Sequence, residues 1–235
     1  MIGPEYAEVI DDFVEFGISA FTTTRAFGTL SSASLEPTTV VSGRWDAVRD
    51  AAKADGVARF ATAHQVHGTR VIEHQDTWLG WLRSGDADGH FSLARGTALG
   101  VTVADCVPVF MAHPSGAIAL LHSAWRGTAA RMVEQGIAVF ASRTLQAADI
   151  RIHLGPAICG TCYQVSADVA SQLLRRDEPA SRAVDLRSLI ADHARALGVR
   201  QITASRLCTK CDNERFFSHR AGDAGRQVAV MFAGN

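Results

Sequence analysis

The most informative segment of the chain covers residues 98–123 and reads ALGVTVADCVPVFMAHPSGAIALLHS. Two apolar, valine-rich runs at 98–104 and 107–112 are followed by a third at 117–121. Between the last two runs stand Pro114, Ser115 and Gly116, which match a three-residue hairpin loop. Proline suits the first turn position, and glycine suits the left-handed position that ends the loop. The segment therefore predicts an antiparallel hairpin, so its sheet is not purely parallel.

This hairpin brings two chemically reactive residues close together. If the loop has three residues, His113 pairs with Ala117, and His122 then lies opposite Pro108 with Cys106 as its diagonal neighbour on the same face. Diagonal neighbours are about 7–8 Å apart, which lets an imidazole and a thiolate reach one ion. A loop one residue longer or shorter would put the two side chains on opposite faces.

Outward from the hairpin, short β-rich segments alternate with amphipathic stretches. The predicted strands are 18–24, 60–66, 69–73, 151–154, 199–203 and 227–232, and the predicted helices are 45–54, 128–145, 166–176 and 185–197. The strands at 60–66 and 69–73 are predicted to meet at a turn, and residues 28–43 and 77–93 to form loop or irregular structure. The pattern predicts an α+β fold with mixed β-sheets in a single domain, residues 1–235.

The composition is that of an ordinary globular protein. The 235 residues are 47% hydrophobic and 20% charged, with a formal net charge of -1, which gives no reason to expect nucleic acid or an anionic membrane as a partner. No stretch approaches the roughly 18 apolar residues of a membrane span, and the acidic N-terminal segment does not resemble an export signal. We therefore expect a cytoplasmic protein with reduced thiols. The sequence leaves the oligomeric state open.

A third candidate metal ligand, His67, lies in the motif HQVHG at 64–68. The glycine that follows it permits a tight turn. Two histidines and a thiolate suit zinc, and three protein ligands leave a fourth position for water, as in catalytic zinc sites. Local spacing does not bring His67 to the other two residues, however, and a metal-free nucleophile pair of Cys106 and His122 fits the pattern as well.

Four further cysteines form two CxxC pairs, Cys159 with Cys162 and Cys208 with Cys211. A zinc ribbon has about 15–20 residues between its pairs, whereas this chain has 45 (residues 163–207). A local ribbon is therefore excluded. We expect packed thiols, with a structural zinc assembled by the fold as the alternative.

Several motifs in a fixed order resemble the laccase-domain, or polyphenol-oxidase-like, family, whose bacterial members are regarded as purine nucleoside phosphorylases. They are QVHG (65–68), ADCVP (104–108), HSAWRG (122–127), GPAIC (155–159), CYQV (162–165), CT (208–209) and FFSHR (216–220). The resemblance extends from about residue 21 to residue 232. It implies a layered αββα sandwich and a zinc site formed by His67, Cys106 and His122.

The same resemblance implies the reactions and the partners. These are phosphate-dependent cleavage of adenosine, inosine, guanosine and methylthioadenosine, together with deamination of adenosine, so the expected partners are purine nucleosides and inorganic phosphate. The chain departs from the family around residues 26–37 and 86–90, and at His219 and Ala221. Substrate preference is therefore the property most open to change.

Four further residues are candidates for this chemistry. Arg126 follows the metal-bearing strand and opens a predicted helix whose amides favour anions, so we assign it to catalysis through phosphate, with stacking on Trp125 as the structural alternative. Asp105 is the candidate acid or base, or else a turn-forming residue. Arg25 and Arg220 are candidate substrate contacts.

Three other functions compete with this assignment. The older family name implies a copper phenol oxidase, but such enzymes use His-x-His pairs, and none occurs among the nine histidines. A metal-free cysteine hydrolase would use Cys106 with His122. A non-enzymatic partner protein could retain the site as a relic. Metal analysis and an activity assay distinguish these functions.

Overall fold

The computed structural model describes residues 2–31 and 33–234. Its strands are β1 (Ala7–Val9), β2 (Ile18–Thr23), β3 (Arg59–His64), β4 (Val71–His74), β5 (Gly80–Asp86), β6 (Gly89–Ser92), β7 (Thr97–Val103), β8 (Val107–Ala112), β9 (Ile118–Ser123), β10 (Arg151–Leu154), β11 (Gln164–Val165), β12 (Arg182–Ala183), β13 (Gln201–Ala204) and β14 (Gln227–Ala233). Its helices are α1 (Thr38–Lys53), α2 (Trp125–Ala129), α3 (Met132–Ser142), α4 (Ala167–Leu174) and α5 (Leu186–Ala196).

The strands form two six-stranded mixed sheets and a short ribbon of β11 with β12. Sheet A has the order β1-β2-β14-β7-β3-β5, and sheet B has the order β13-β10-β8-β9-β6-β4. Parallel pairs join β3 to both β5 and β7 in sheet A, and β4 to β6 and β10 to β13 in sheet B. The remaining pairs within the two sheets are antiparallel, so the predicted mixed α+β architecture is confirmed.

The alternation of side chains along the central strands builds four layers. On β8, Phe110 packs between the two sheets, whereas Met111 packs against α3, α4 and α5 on the outer face of sheet B. On β14, Met231 packs between the sheets, and Val230 faces α1 on the outer face of sheet A. Because successive strand residues point to opposite faces, each central strand serves two apolar layers. The resulting order of layers is helix, sheet, sheet, helix.

The predicted hairpin and its register are confirmed. His113 donates its backbone N–H to the carbonyl of Ala117 at 3.0 Å, and Gly116 has φ of 90°. Pro108 lies opposite His122 in the ladder of β8 with β9. The three-residue loop therefore sets the face on which His122 points.

Three predicted segments differ from the structure. Residues 28–43, of which Ser32 lies outside the described residues, were expected to be loop, but α1 begins at Thr38 and buries Val41, Val48 and Ala52. Tertiary burial outweighs the low helix propensity of its β-branched first turn. The predicted helix 128–145 instead begins at Trp125 and is interrupted at Arg131, where φ is 64°.

The prediction for residues 77–93 needs the largest correction, because this segment contains β5 and β6 rather than irregular structure. Of its three glycines, Gly89 reflects close packing, since a Cβ there would lie 2.7 Å from Met132 and 2.8 Å from Leu121, whereas Gly80 and Gly85 have no atom that close. The strands predicted at 60–66 and 69–73 are shorter than expected, and they do not pair with each other, since β3 belongs to sheet A and β4 to sheet B. Across the described residues, no helix is long and apolar enough to cross a membrane.

Candidate metal centre

Three connections that carry the chain from sheet A to sheet B meet at one place. They are residues 65–70 between β3 and β4, residues 87–88 between β5 and β6, and residues 104–106 between β7 and β8. His67 lies on the first, Asp88 on the second, and Asp105 with Cys106 on the third. His67 and Asp105 have positive φ of 61° and 82°, a conformation that non-glycine residues adopt rarely and that clusters at functional sites.

The structure brings His67, Cys106 and His122 together. Their potential ligand atoms all lie within 4.8 Å of one another. The two imidazole rings are 5.0 Å apart and inclined at 74°. His122 is buried, Cys106 is half-buried and His67 is exposed, so the centre has one side open to solvent. A cluster of this donor set and geometry can hold a metal ion.

Asp88, which the sequence analysis missed, organises both histidines. Its fully buried carboxylate accepts backbone N–H bonds from Val66 at 3.1 Å, from His67 at 2.9 Å and from Gly68 at 2.7 Å. It also accepts the Nδ1–H of His122 at 2.8 Å, because a carboxylate can only accept. His122 therefore directs Nε2 toward the centre, as in the carboxylate–histidine–metal arrangement of zinc proteins.

The charges of the cluster favour metal binding. Burial opposes ionisation of the Cys106 thiol, but the charge of His122, its hydrogen bond and the contribution of His67 lower the pKa of Cys106 to about 6. Burial likewise opposes protonation of His122, but the Cys106 thiolate and the bond to Asp88 raise the pKa of His122 to about 9. At neutral pH the thiolate is thus already formed, and a metal ion would replace the proton of His122.

Asp105 lies beside the centre, with both carboxylate oxygens occupied. One oxygen accepts the hydroxyl of Thr209 at 2.6 Å, and the other accepts the backbone N–H of Arg220 at 2.7 Å. The side chain therefore ties two distant loops to the turn that carries Cys106. A role for Asp105 as acid or base stays a prediction.

The three candidate arginines occupy different environments. Arg126 is exposed, stacks 4.6 Å above the Trp125 ring and has no carboxylate partner among the residues described. Arg25 is half-buried and bound by the 213–223 loop, through the carbonyl of Asn213 at 2.7 Å and Asp223 at 2.6 Å. Arg126 is the second residue of α2, a helix of five residues, and the expected role of its N-terminal amides in anion binding stays a prediction.

Arg220 points back to the segment after the first CxxC pair. Its guanidinium donates to the carbonyl of Gln164 at 2.7 Å and stacks 5.1 Å above the Tyr163 ring. Burial, followed by the charge of Cys106, raises the pKa of Tyr163 to about 12, so this phenol keeps its proton. Tyr163 is a second residue that the sequence analysis did not single out, although it lies within the CYQV motif.

The expectation that the four remaining cysteines are packed thiols is wrong. Of Cys159, Cys162, Cys208 and Cys211, only Cys208 is buried, and Cys211 is exposed. Their sulfur atoms form a second cluster within 4.8 Å of one another.

The comparisons with known proteins agree with this architecture. The family described as multi-copper polyphenol oxidoreductase laccase matches residues 20–233. The chain belongs to this laccase family. Its relatives include proteins named purine nucleoside phosphorylase: YlmD of Geobacillus stearothermophilus, 31% identical over 196 residues (74% of this chain, 72% of the relative), and Rv2149c of Mycobacterium tuberculosis, 34% identical over 186 residues (74% and 72%). The names of these relatives support the prediction that this chain is an enzyme.

Solved structures similar to this laccase-family chain have the same fold over almost its full length. The hypothetical protein YfiH of Bacillus licheniformis matches with a TM-score of 0.86 and 23% identity, covering 99% of this chain and 98% of that one. YlmD of Geobacillus stearothermophilus matches with a TM-score of 0.84 and 25% identity, covering 99% and 94%. The copper in the family's description is not carried over to this chain.

Proposed function

We propose that the chain is a zinc-dependent purine nucleoside phosphorylase that also deaminates adenosine. Its substrates would be adenosine, inosine, guanosine or methylthioadenosine with inorganic phosphate, and its products the free base and a pentose 1-phosphate. The observation that carries the proposal is the convergence of His67, Cys106 and His122 around one point that is open to solvent. The relatives named purine nucleoside phosphorylase support the choice of substrate.

The donor set fits zinc. Two imidazoles and one thiolate are borderline-soft ligands, and three protein ligands are typical of catalytic rather than structural zinc. Zinc held there would supply a Lewis acid next to the substrate. The carboxylate of Asp88 would hold His122 in the tautomer that binds through Nε2.

Phosphorolysis forms a bond from a phosphate oxygen to C1′ of the sugar while the bond from C1′ to the base breaks, and the departing base gains a proton. The guanidinium of Arg126, which is exposed and has no carboxylate partner among the described residues, is suited to hold the phosphate. Arg220, which stacks on the Tyr163 ring, is the second candidate cation. Tyr163 keeps its proton at neutral pH and can donate a hydrogen bond to a substrate oxygen or nitrogen. Deamination would replace the amine at C6 of adenosine by the oxygen of water, with release of ammonia.

The positions assigned to Arg25 and Asp105 follow from their contacts. Arg25 fixes the 213–223 loop, so we propose that it supports substrate binding by holding this loop. Asp105 fixes the backbone of Arg220.

We further propose one domain over residues 1–235 and a cytoplasmic location, which fits five free thiols. A net charge of -1 supports small-molecule partners rather than nucleic acid or a membrane surface.

The decisive experiment incubates purified protein with adenosine or inosine and phosphate, and follows free base and ribose 1-phosphate alongside metal content. We expect product formation in the wild type and its loss in Cys106→Ala and His67→Ala. His64→Ala is the matched control, because His64 is exposed and pairs with Asp86 at 2.8 Å outside the cluster. Full turnover by a zinc-free variant would contradict the proposal, and stoichiometric copper with blue absorbance would favour the oxidase.

A second candidate function rests on the same pair of residues. The thiolate of Cys106 beside the protonated His122 has the form of a cysteine-hydrolase nucleophile. Alkylation of Cys106 distinguishes the two. Protection by zinc supports the metal centre, whereas protection by a peptide substrate, with hydrolysis by metal-free protein, would support the hydrolase.

A further inference from the structure

We propose that Cys159, Cys162, Cys208 and Cys211 bind a second zinc ion, with a structural role. Their four sulfur atoms lie within 4.8 Å of one another. Four thiolates arranged as a tetrahedron with zinc–sulfur bonds of about 2.3 Å are separated by about 3.8 Å. The sulfur atoms of Cys162 and Cys211, on opposite CxxC pairs, are 3.4 Å apart, so the cluster needs only small movements to surround an ion.

Backbone N–H groups donate to a sulfur atom of the cluster and thereby favour its negatively charged thiolate form. The buried sulfur of Cys208 accepts backbone N–H groups from Cys159 at 3.2 Å and from Cys211 at 3.4 Å. Hydrogen bonds of this kind are stronger when the acceptor is ionised. The first pair is held in a tight turn, in which Cys162 donates its N–H to the carbonyl of Cys159 at 3.1 Å. Main-chain contacts thus help to position both pairs.

The fold, and not local spacing, joins the two pairs. Ala157 and Cys208 form a parallel β-bridge, and Thr209 donates its N–H to the carbonyl of Ala157 at 3.2 Å. This bridge sets the loop after β10 beside the loop after β13. Two CxxC turns brought face to face in this way are the usual source of a closed four-thiolate zinc site. Such a site has no open position, so its role would be structural.

The position of the cluster indicates what the ion would stabilise. Thr209, next to Cys208, donates to Asp105 at 2.6 Å, and Asp105 precedes the Cys106 ligand of the first centre. Tyr163, next to Cys162, contacts the guanidinium of Arg220. An ion at the four cysteines would fix both loops that border the first centre, without contact with the substrate.

The test counts metal and thiols in the full-length protein purified with zinc. We expect two zinc ions per chain in the wild type, one in Cys106→Ala, one in Cys211→Ser and none in the double variant. Lys210→Ala is the matched control, since Lys210 is exposed between two of the cysteines and should leave two ions bound. Cys211→Ser should also lower the melting temperature, and removal of zinc from Cys106→Ala by excess chelator should give the same loss, because that variant holds only the second ion.

The Cys106→Ala protein gives an independent spectroscopic result that does not require Cys211→Ser to fold. Stripped of zinc and titrated with Co²⁺ alone, it should bind one equivalent with the intense sulfur charge-transfer and visible bands of tetrahedral four-thiolate cobalt. All four remaining thiols should react with a thiol reagent after denaturation in chelator. A metal-free Cys106→Ala, bound iron, or a disulfide that leaves only two reactive thiols would overturn the proposal. None of these results depends on activity at the first centre.

Discussion

Replacing Asp88 by asparagine should weaken zinc binding at the His67–Cys106–His122 centre by roughly 10- to 100-fold, or ~1.4–2.7 kcal/mol. The carboxylate is fully buried and accepts four hydrogen bonds, three from backbone N–H groups of the His67 loop and one from His122. Asparagine keeps one acceptor oxygen but turns an NH₂ group toward N–H donors. Both histidines therefore lose their common support while every metal ligand is retained.

The same substitution should also reduce stability, in a way that depends on pH. Burial raises the pKa of Asp88, but the hydrogen bond from His122 and those from the backbone outweigh it and lower the pKa from 3.8 to about 2. Because the folded-state pKa is below the unfolded one, this carboxylate stabilises the fold above about pH 4. The stabilisation is lost as the pH falls toward 2. The difference corresponds to about 2 kcal/mol at pH 7.

Competition with a chromophoric chelator measures the zinc affinity of Asp88→Asn, and urea unfolding of the metal-free proteins measures the stability. Asp86→Asn is the control, because Asp86 also contacts a histidine, His64, at 2.8 Å, but both side chains are largely exposed (68% and 74%). An exposed pair contributes about 0–1 kcal/mol, so Asp86→Asn should match the wild type. Equal zinc affinity in Asp88→Asn and wild type, or equal losses in both variants, would refute the role given to Asp88.

Three further outcomes follow from the structure. Zinc affinity should rise roughly tenfold per pH unit between pH 6 and 9, because zinc binding displaces the proton of His122. Below pH 6 the affinity should change more steeply with pH, because Cys106 is also protonated there. Chelator competition across this pH range measures both slopes. Gly127→Ala should weaken zinc binding, since the added Cβ would lie 3.2 Å from a backbone carbonyl of the loop that carries His67. This loss is expected although alanine favours a helix over glycine by about 1 kcal/mol. The same competition assay measures the zinc affinity, and an affinity equal to that of the wild type would contradict the prediction. Burial lowers the pKa of His74 to about 4 and of His90 to about 3, with His74 adding to the latter shift. The unfolded state therefore takes up protons first, and the free energy of unfolding should fall below pH 6.5, by up to ~1.4 kcal/mol per pH unit for each residue. Urea unfolding of His74→Gln should give a slope that is smaller by up to ~1.4 kcal/mol per pH unit.

Local chemistry was sufficient to predict the hairpin and half of the metal centre. The turn residues Pro114, Ser115 and Gly116 specify a loop length, and loop length specifies which residue faces His122. The capping residues Ser166 and Asp185 likewise mark the starts of α4 and α5, where their side chains accept the backbone N–H groups of Val169 and Ser188. Such features depend only on residues a few positions apart.

The convergence of His67 with this hairpin depends instead on the packing of two sheets, which no local pattern encodes. Asp88 was missed because glycines at 85 and 89 made its segment look irregular, although both lie in strands and close contacts exclude a side chain at Gly89. A usable signal did exist: a histidine that binds metal usually donates its second nitrogen to a carboxylate. The four-cysteine cluster was undervalued for the same reason, since the bridge from Ala157 to Cys208 joins segments about 50 positions apart.

The short connections between the two sheets fix the backbone of the centre, so the rigidity of the centre does not depend on side-chain packing around it. Residues 87–88 and 104–106 are all that separates the ends of β5 and β7 from the starts of β6 and β8, so the backbone positions of Asp88 and Cys106 follow directly from the spacing of the two sheets. The longer connection, residues 65–70, lacks this constraint, and its three consecutive amides are bound by the Asp88 carboxylate instead. The exposed candidate ligand His67 is thus fixed through its main chain, and its ring faces solvent. Preorganisation of this kind lowers the entropy lost when ligands gather around an ion, and Asp88, which is not itself a ligand, is the residue that positions both histidines of the centre.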